Sequence, residues 1–231
     1  MTNPQTQSKS PTSQFSRRAQ YPPWLCRDVK QVVVLVRDRS GSMSGQKADD
    51  ASQASLGLVA ELASPANGDG FLVAVVDFSS DSHVVHGLER ATVLDGKVCS
   101  LAASGIGAGT NITSGLEDAL GILETLSRTG AHGETYLRPV TLLFSDGCHN
   151  EGTDPACAAS RLKTLADVVT VAFGSDADEA LLGSLASTPQ HAYRCSNGRE
   201  LRRFLAEVGT TMTATFRART NATHALTQIR R

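Results

Sequence analysis

The chain has 231 residues, 40% of them hydrophobic and 19% charged, which is enough to bury one sizeable core. Its net charge of −1 conceals basic ends: residues 1–27 carry +4 and residues 199–231 carry +5, leaving −10 on residues 28–198. An acidic body argues against a broad nucleic-acid face, and no stretch reaches the roughly 18 consecutive apolar residues of a membrane span.

Residues 1–24 are polar and Pro-containing and read as a disordered leader without a secretory apolar segment, with Trp24 as the anchor to a body spanning 25–218. Five cysteines without paired short spacing point to a reducing, cytoplasmic setting rather than a disulfide framework. The body then alternates. Residues 31–38 form an unbroken apolar strand, and residues 47–63 carry Ala51, Ala54, Leu58 and Leu62 at helical spacing. A second strand is predicted at 71–78 and an antiparallel edge strand at 82–87. A short helix follows at 94–103. Residues 111–128 place Ile112, Leu116, Leu120, Leu123 and Leu126 on one helical stripe. Strands recur at 138–145, 167–173 and 190–194, with helices at 155–165, 177–186 and 198–217. Residues 219–231 read as a flexible basic tail.

Strands separated by helical segments of this length imply βαβ crossovers and a mostly parallel, doubly wound α/β sheet covered on both faces. Ligands in such sheets bind at the carboxyl ends of the strands, where the winding reverses. If strand 138–145 returns to the far side of strand 31–38, Asp38 and Asp146 sit side by side at that point.

Asp38-Arg39-Ser40-Gly41-Ser42 follows the run Val32–Val36 after the single residue Arg37 and sets one carboxylate and two hydroxyls at alternate positions. Gly107-Ala108-Gly109-Thr110 and Ser145-Asp146-Gly147 supply further oxygens, again beside a strand end or a helix start. An oxygen-only donor set suits a hard cation such as Mg²⁺, with Mn²⁺ or Ca²⁺ as alternatives. The glycines let the loops approach the ion closely. The candidate ligands are therefore Asp38, Ser40, Ser42, Thr110 and Asp146. With mostly neutral donors the ion keeps much of its charge, and a carboxylate from outside is its natural further ligand.

These three motifs together resemble the von Willebrand factor A domain with its metal-ion-dependent adhesion site, over roughly residues 30–215. The resemblance implies a six-stranded sheet of order 3-2-1-4-5-6, with Ser40, Ser42 and Thr110 coordinating directly and Asp38 and Asp146 often acting through water. It implies a non-enzymatic module in which the cation bridges to an Asp or Glu of a partner protein, with neither nucleic acid nor membrane as partner. By architecture it is most similar to bacterial intracellular members of tellurium-resistance-like or stress systems, whose partners include AAA+ ATPases, kinases and phosphatases. In the family, ligation can switch as the last helix moves; here the stripe on 198–217 is better explained by core packing. One departure is Arg37, where the family usually has an apolar residue. The expectation is that Arg37 points out past the strand end.

Two alternatives remain. A Mg²⁺-dependent phosphohydrolase could use Asp38 as nucleophile, but Ser40 occupies the position of its general acid. A related scaffold with a vestigial ion site would bind through helix faces or its basic ends. His83 with His86 lacks zinc-ligand geometry on a strand, as does His191 with Cys195, and the Gly-rich loop lacks the lysine of a phosphate loop.

Overall fold

The computed structural model describes residues 28–97, 109–129, 134–146 and 148–229. The leader expected at 1–24 and its anchor Trp24 lie outside these residues, as do Gly107 and Gly147.

The sheet is organised around β1 (Asp28–Asp38). Val32 to Val36 are all fully buried, because consecutive side chains enter opposite cores: Val33 and Leu35 one, Val32, Val34 and Val36 the other. That is why a strand buried on both faces reads as continuous apolar sequence. On one side β1 pairs in parallel with β2 (Phe71–Phe78), which carries the antiparallel edge strand β3 (Ser82–Arg90). On the other side β1 pairs in parallel with the short β4 (Glu134–Tyr136) and then with β5 (Val140–Ser145). The strands β6 (Asp167–Phe173) and β7 (Ala192–Cys195) follow outward. The path β3-β2-β1-β5-β6-β7 is the expected order once β4 is counted; the described strands number seven rather than six. β4 is only three residues long and flanks the start of β1, so it carries no periodic signal.

One face of the sheet is covered by α1 (Gln46–Leu62) and α6 (Gly198–Arg217), with α2 (Ala91–Leu94) beside them. The other is covered by α3 (Ile112–Thr129), α4 (Pro155–Leu165) and α5 (Glu179–Leu185). On α6, Leu201, Phe204, Leu205, Val208 and Met212 are buried against α1, as the stripe predicted. The helix expected at 94–103 falls mostly outside the described residues, which stop at 97; within them, α2 ends at Leu94. No described helix is long and apolar enough to cross a membrane.

The expectation of a frayed segment after residue 218 is overturned for residues 219–229. Ala222, Leu226 and Ile229 are buried in the α1/α6 core, around the short helix α7 (Thr223–Leu226). The Asn221 side chain accepts from the Arg138 N–H at 2.8 Å, the Thr223 carbonyl meets His191 Nε2 at 3.0 Å, and the Leu226 carbonyl accepts from the Tyr193 hydroxyl. Three apolar residues spread over eight positions with a single helical turn between them look polar in sequence, yet they join one core.

Candidate metal centre

β1 ends at Asp38, and one further ladder bond, from the Arg39 N–H to the Phe78 carbonyl at 2.8 Å, carries it to the carboxyl end of the sheet. The chain then makes a tight turn over Gly41–Met43, pinned by the buried side chain of Met43. It enters α1 through Gly45, whose φ of +66° is a conformation that L side chains rarely adopt. This turn folds both serines back over the strand end.

Asp38 is completely buried. One of its oxygens accepts the Ser40 N–H at 2.8 Å, and the other accepts the hydroxyl of Ser145, the last residue of β5. The Ser40 and Ser42 hydroxyls lie 3.0 Å apart, and Ser42 donates to Asp146 Oδ1 at 2.7 Å. Asp38, Ser40, Ser42 and Asp146 thus form one connected oxygen cluster at the junction of β1 and β5, where the direction of winding reverses. Thr110 belongs to the second loop; among the described residues no hydrogen bond joins it to that cluster, and its backbone is tied to Asn150, after β5. Its N–H donates to the Asn150 side chain at 2.9 Å, and its carbonyl accepts from the Asn150 N–H at 3.0 Å. The Thr110 hydroxyl has no hydrogen-bond partner among the described residues. The Glu151 side chain lies over Gly109, its carboxyl carbon 2.1 Å from where a Cβ would stand.

The charges are unevenly matched. Burial pushes the Asp38 carboxyl above its ordinary range, against hydrogen bonds from Ser145 and Ser40, and the nearby Asp146 charge adds to the rise. Asp146 is matched by an ammonium: Lys47, in the first turn of α1, donates to Asp146 Oδ2 and lies 3.2 and 3.4 Å from the two oxygens of Asp176. Burial depresses the Lys47 ammonium, but the bonds and charges of Asp146, then of Asp176, outweigh it and hold it above its usual value. The Lys47 hydrogen bond and Asp176's own N–H hold that carboxyl below the usual carboxylate range.

Among the described residues no three or more His, Cys, Asp and Glu side chains converge, so any ion here must be held with the help of hydroxyls. The donor chemistry fits a hard divalent cation: two carboxylates and three hydroxyls, with an ammonium already drawn to one carboxylate. Asp38, Ser40, Ser42, Thr110 and Asp146 are the residues that would hold it.

Arg37 differs from expectation. It does not project past the strand end but is fully buried, with Nε 2.7 Å and Nη2 3.0 Å from the two oxygens of Asp77. The two residues are register partners across β1 and β2. Sequence reading named Ser145 only within its motif and missed Lys47, Asp176 and Asn150, as well as His149, whose Nδ1 accepts the Ile112 N–H at 3.2 Å at the start of α3. For Asp77 a signal existed: an acid one residue before the end of the second strand matches an arginine one residue before the end of the first. Lys47 and Asp176 lie 129 residues apart, and no spacing rule joins them. His191 and Cys195, considered as a pair, have separate packing roles: His191 is buried between Thr188 and the Thr223 carbonyl, and Cys195 is buried in the core.

Known proteins share this architecture. The structure of a von Willebrand factor type A protein from Catenulispora acidiphila has 21% identity and a TM-score of 0.65, over 80% of this chain and 43% of that one. Proximal thread matrix protein 1 of the mussel byssus, in a form with a zinc-occupied MIDAS motif, has 21% identity and a TM-score of 0.57, over 80% and 46%. BatB from Bacteroides thetaiotaomicron has 17% identity and a TM-score of 0.60, over 80% and 98%. The chain thus spans less than half the length of the first two proteins, and identities this low carry the fold alone. A comparison with curated proteins finds no match. The family profile of the von Willebrand factor type A domain, however, matches residues 33–207. The chain belongs to the von Willebrand factor type A domain family.

Proposed function

We propose that this chain is a metal-dependent protein-binding module in which Asp38, Ser40, Ser42, Thr110 and Asp146 hold a divalent cation, Mg²⁺ by preference, that meets an Asp or Glu of a partner protein. The supporting observation is the joining of the first and third motifs through their own oxygens, Ser42 to Asp146 and Ser145 to Asp38. Capping and turn formation need only local partners, whereas these bonds connect residues more than 100 positions apart. A bound cation supplies a positive pole for a carboxylate. The serines orient the acidic groups, and burial of Asp38 and Asp146 keeps water from screening them.

The phosphohydrolase alternative is disfavoured by Asp38 itself. Its carboxylate is completely buried, and Ser40 stands two residues on, where the general acid of such an enzyme would be. The setting we propose, a bacterial cytoplasmic stress or defence assembly with an AAA+ ATPase, kinase or phosphatase, rests on resemblance of architecture. Calorimetric titration with MgCl₂ and MnCl₂ tests the metal site, with heat expected for the wild type and none for Asp146→Ala. Affinity capture with and without EDTA then tests the bridge. Capture that survives both EDTA and Asp146→Ala would overturn it.

A further inference from the structure

We propose that Lys47 is an internal counter-cation of the metal centre: its ammonium neutralises Asp146 in the metal-free protein and gives up that carboxylate for Asp176 when a divalent cation binds. The inference rests on the metal-binding reading of the site and goes beyond it, because it assigns the residue that sets metal affinity.

Asp146 is buried, and its Oδ1 is already taken by Ser42. A buried carboxylate whose charge is unmatched is costly. Lys47 supplies the match at Oδ2, while Asp38 has only hydroxyl and N–H donors. A divalent ion held by the same carboxylate would repel an ammonium within a few ångströms. Lys47 has somewhere to go. Its side chain is 32% exposed, whereas Asp176 is 60% exposed on the loop after β6 and already lies within 3.4 Å of the ammonium. Gly174 in that loop has a φ of +103° and lies beside the pair: a Cβ there would come within 2.8 Å of Asp176 Oδ1 and 3.3 Å of Lys47 Nζ. The lysine therefore holds the acidic cluster together without metal and lowers affinity for it, so that occupancy follows metal concentration.

Calorimetric titration of the full chain with MgCl₂ tests this on wild type, Lys47→Met, Asp176→Asn and the double variant. Lys47→Met is expected to bind Mg²⁺ on the order of tenfold more tightly, from removal of a like charge beside the ion. Asp176→Asn is expected to weaken binding by about threefold in the presence of Lys47, and by less in the Lys47→Met background, since only the lysine needs that second seat. Without metal, Lys47→Met is expected to melt several degrees lower. A lysine that serves packing alone would not lower Tm and raise metal affinity together. Folded Lys47→Met that binds Mg²⁺ no more tightly than a metal-binding wild type overturns the assignment and leaves the metal site standing. If the wild type and all three variants are folded and none takes metal, the metal reading itself fails, and this inference with it.

Discussion

Arg37 and Asp77 face each other across the parallel ladder of β1 and β2, and their side chains close a two-point ion pair at 2.7 and 3.0 Å inside the core. The pair lies one residue before the metal-loop aspartate, on the face covered by α1.

Removing one partner strands a buried charge, which typically costs 3–5 kcal/mol. Asp77→Ala is therefore expected to lower unfolding free energy by about 3 kcal/mol or more in urea denaturation. The double change Arg37→Met with Asp77→Leu is expected to recover most of that loss, because an apolar pair of similar volume suits the site. Equal destabilisation by single and double variants would show that the pair does not act as a unit.

Asp38 is held above its ordinary pKa by burial, so its ionised form is a burden on the metal-free fold. Asp38→Asn keeps the shape and removes the charge. In urea the metal-free variant is expected to unfold at a higher midpoint than the wild type, while its heat of Mg²⁺ binding disappears. A lower midpoint would mean that the carboxylate stabilises the resting protein.

Cys195 differs from the other described cysteines. Burial, with a smaller contribution from the Glu200 charge, pushes its thiol up to about 12, whereas Cys148 and Cys157 are exposed. A folded pKa raised above the reference value of 9.0 gives stability that is complete below pH 9 and is lost as pH rises towards 12. The slope for one such group is about 1.4 kcal/mol per pH unit. Cys195→Ala is expected to flatten this part of the alkaline stability profile. In native protein at pH 8, thiol alkylation followed by mass spectrometry is expected to modify Cys148 and Cys157 and spare Cys195.

The segment after α6 is a structural part of the domain. Leu226 is fully buried, and its carbonyl accepts from Tyr193. Leu226→Ala is expected to cost about 2–4 kcal/mol, in the range of buried leucine truncations. A chain stopped after residue 218 is expected to lose more, since Ala222 and Ile229 go with it. Thermal unfolding of both forms checks this; a truncated chain as stable as the full one would return residues 219–229 to the status of a tail.

Much of the fold was legible in the chain. The apolar run 32–36 and the stripes on 111–128 and 198–217 have the periods of a doubly covered strand and of one-sided helices, and such periods are local properties. Local, too, is the Asp-x-Ser-x-Ser spacing, and two carboxylates at the ends of adjacent parallel strands must meet. What the tertiary structure alone decided is which charges pair. Arg37 turns inward because strand register brings Asp77 opposite it. Lys47 reaches both Asp146 and Asp176 because α1 starts over the ends of β5 and β6. The apolar residues 222, 226 and 229 become core because the chain after α6 folds back onto the core that α1 and α6 cover. Register and crossover packing join residues far apart in the chain, and no pattern within one segment records them.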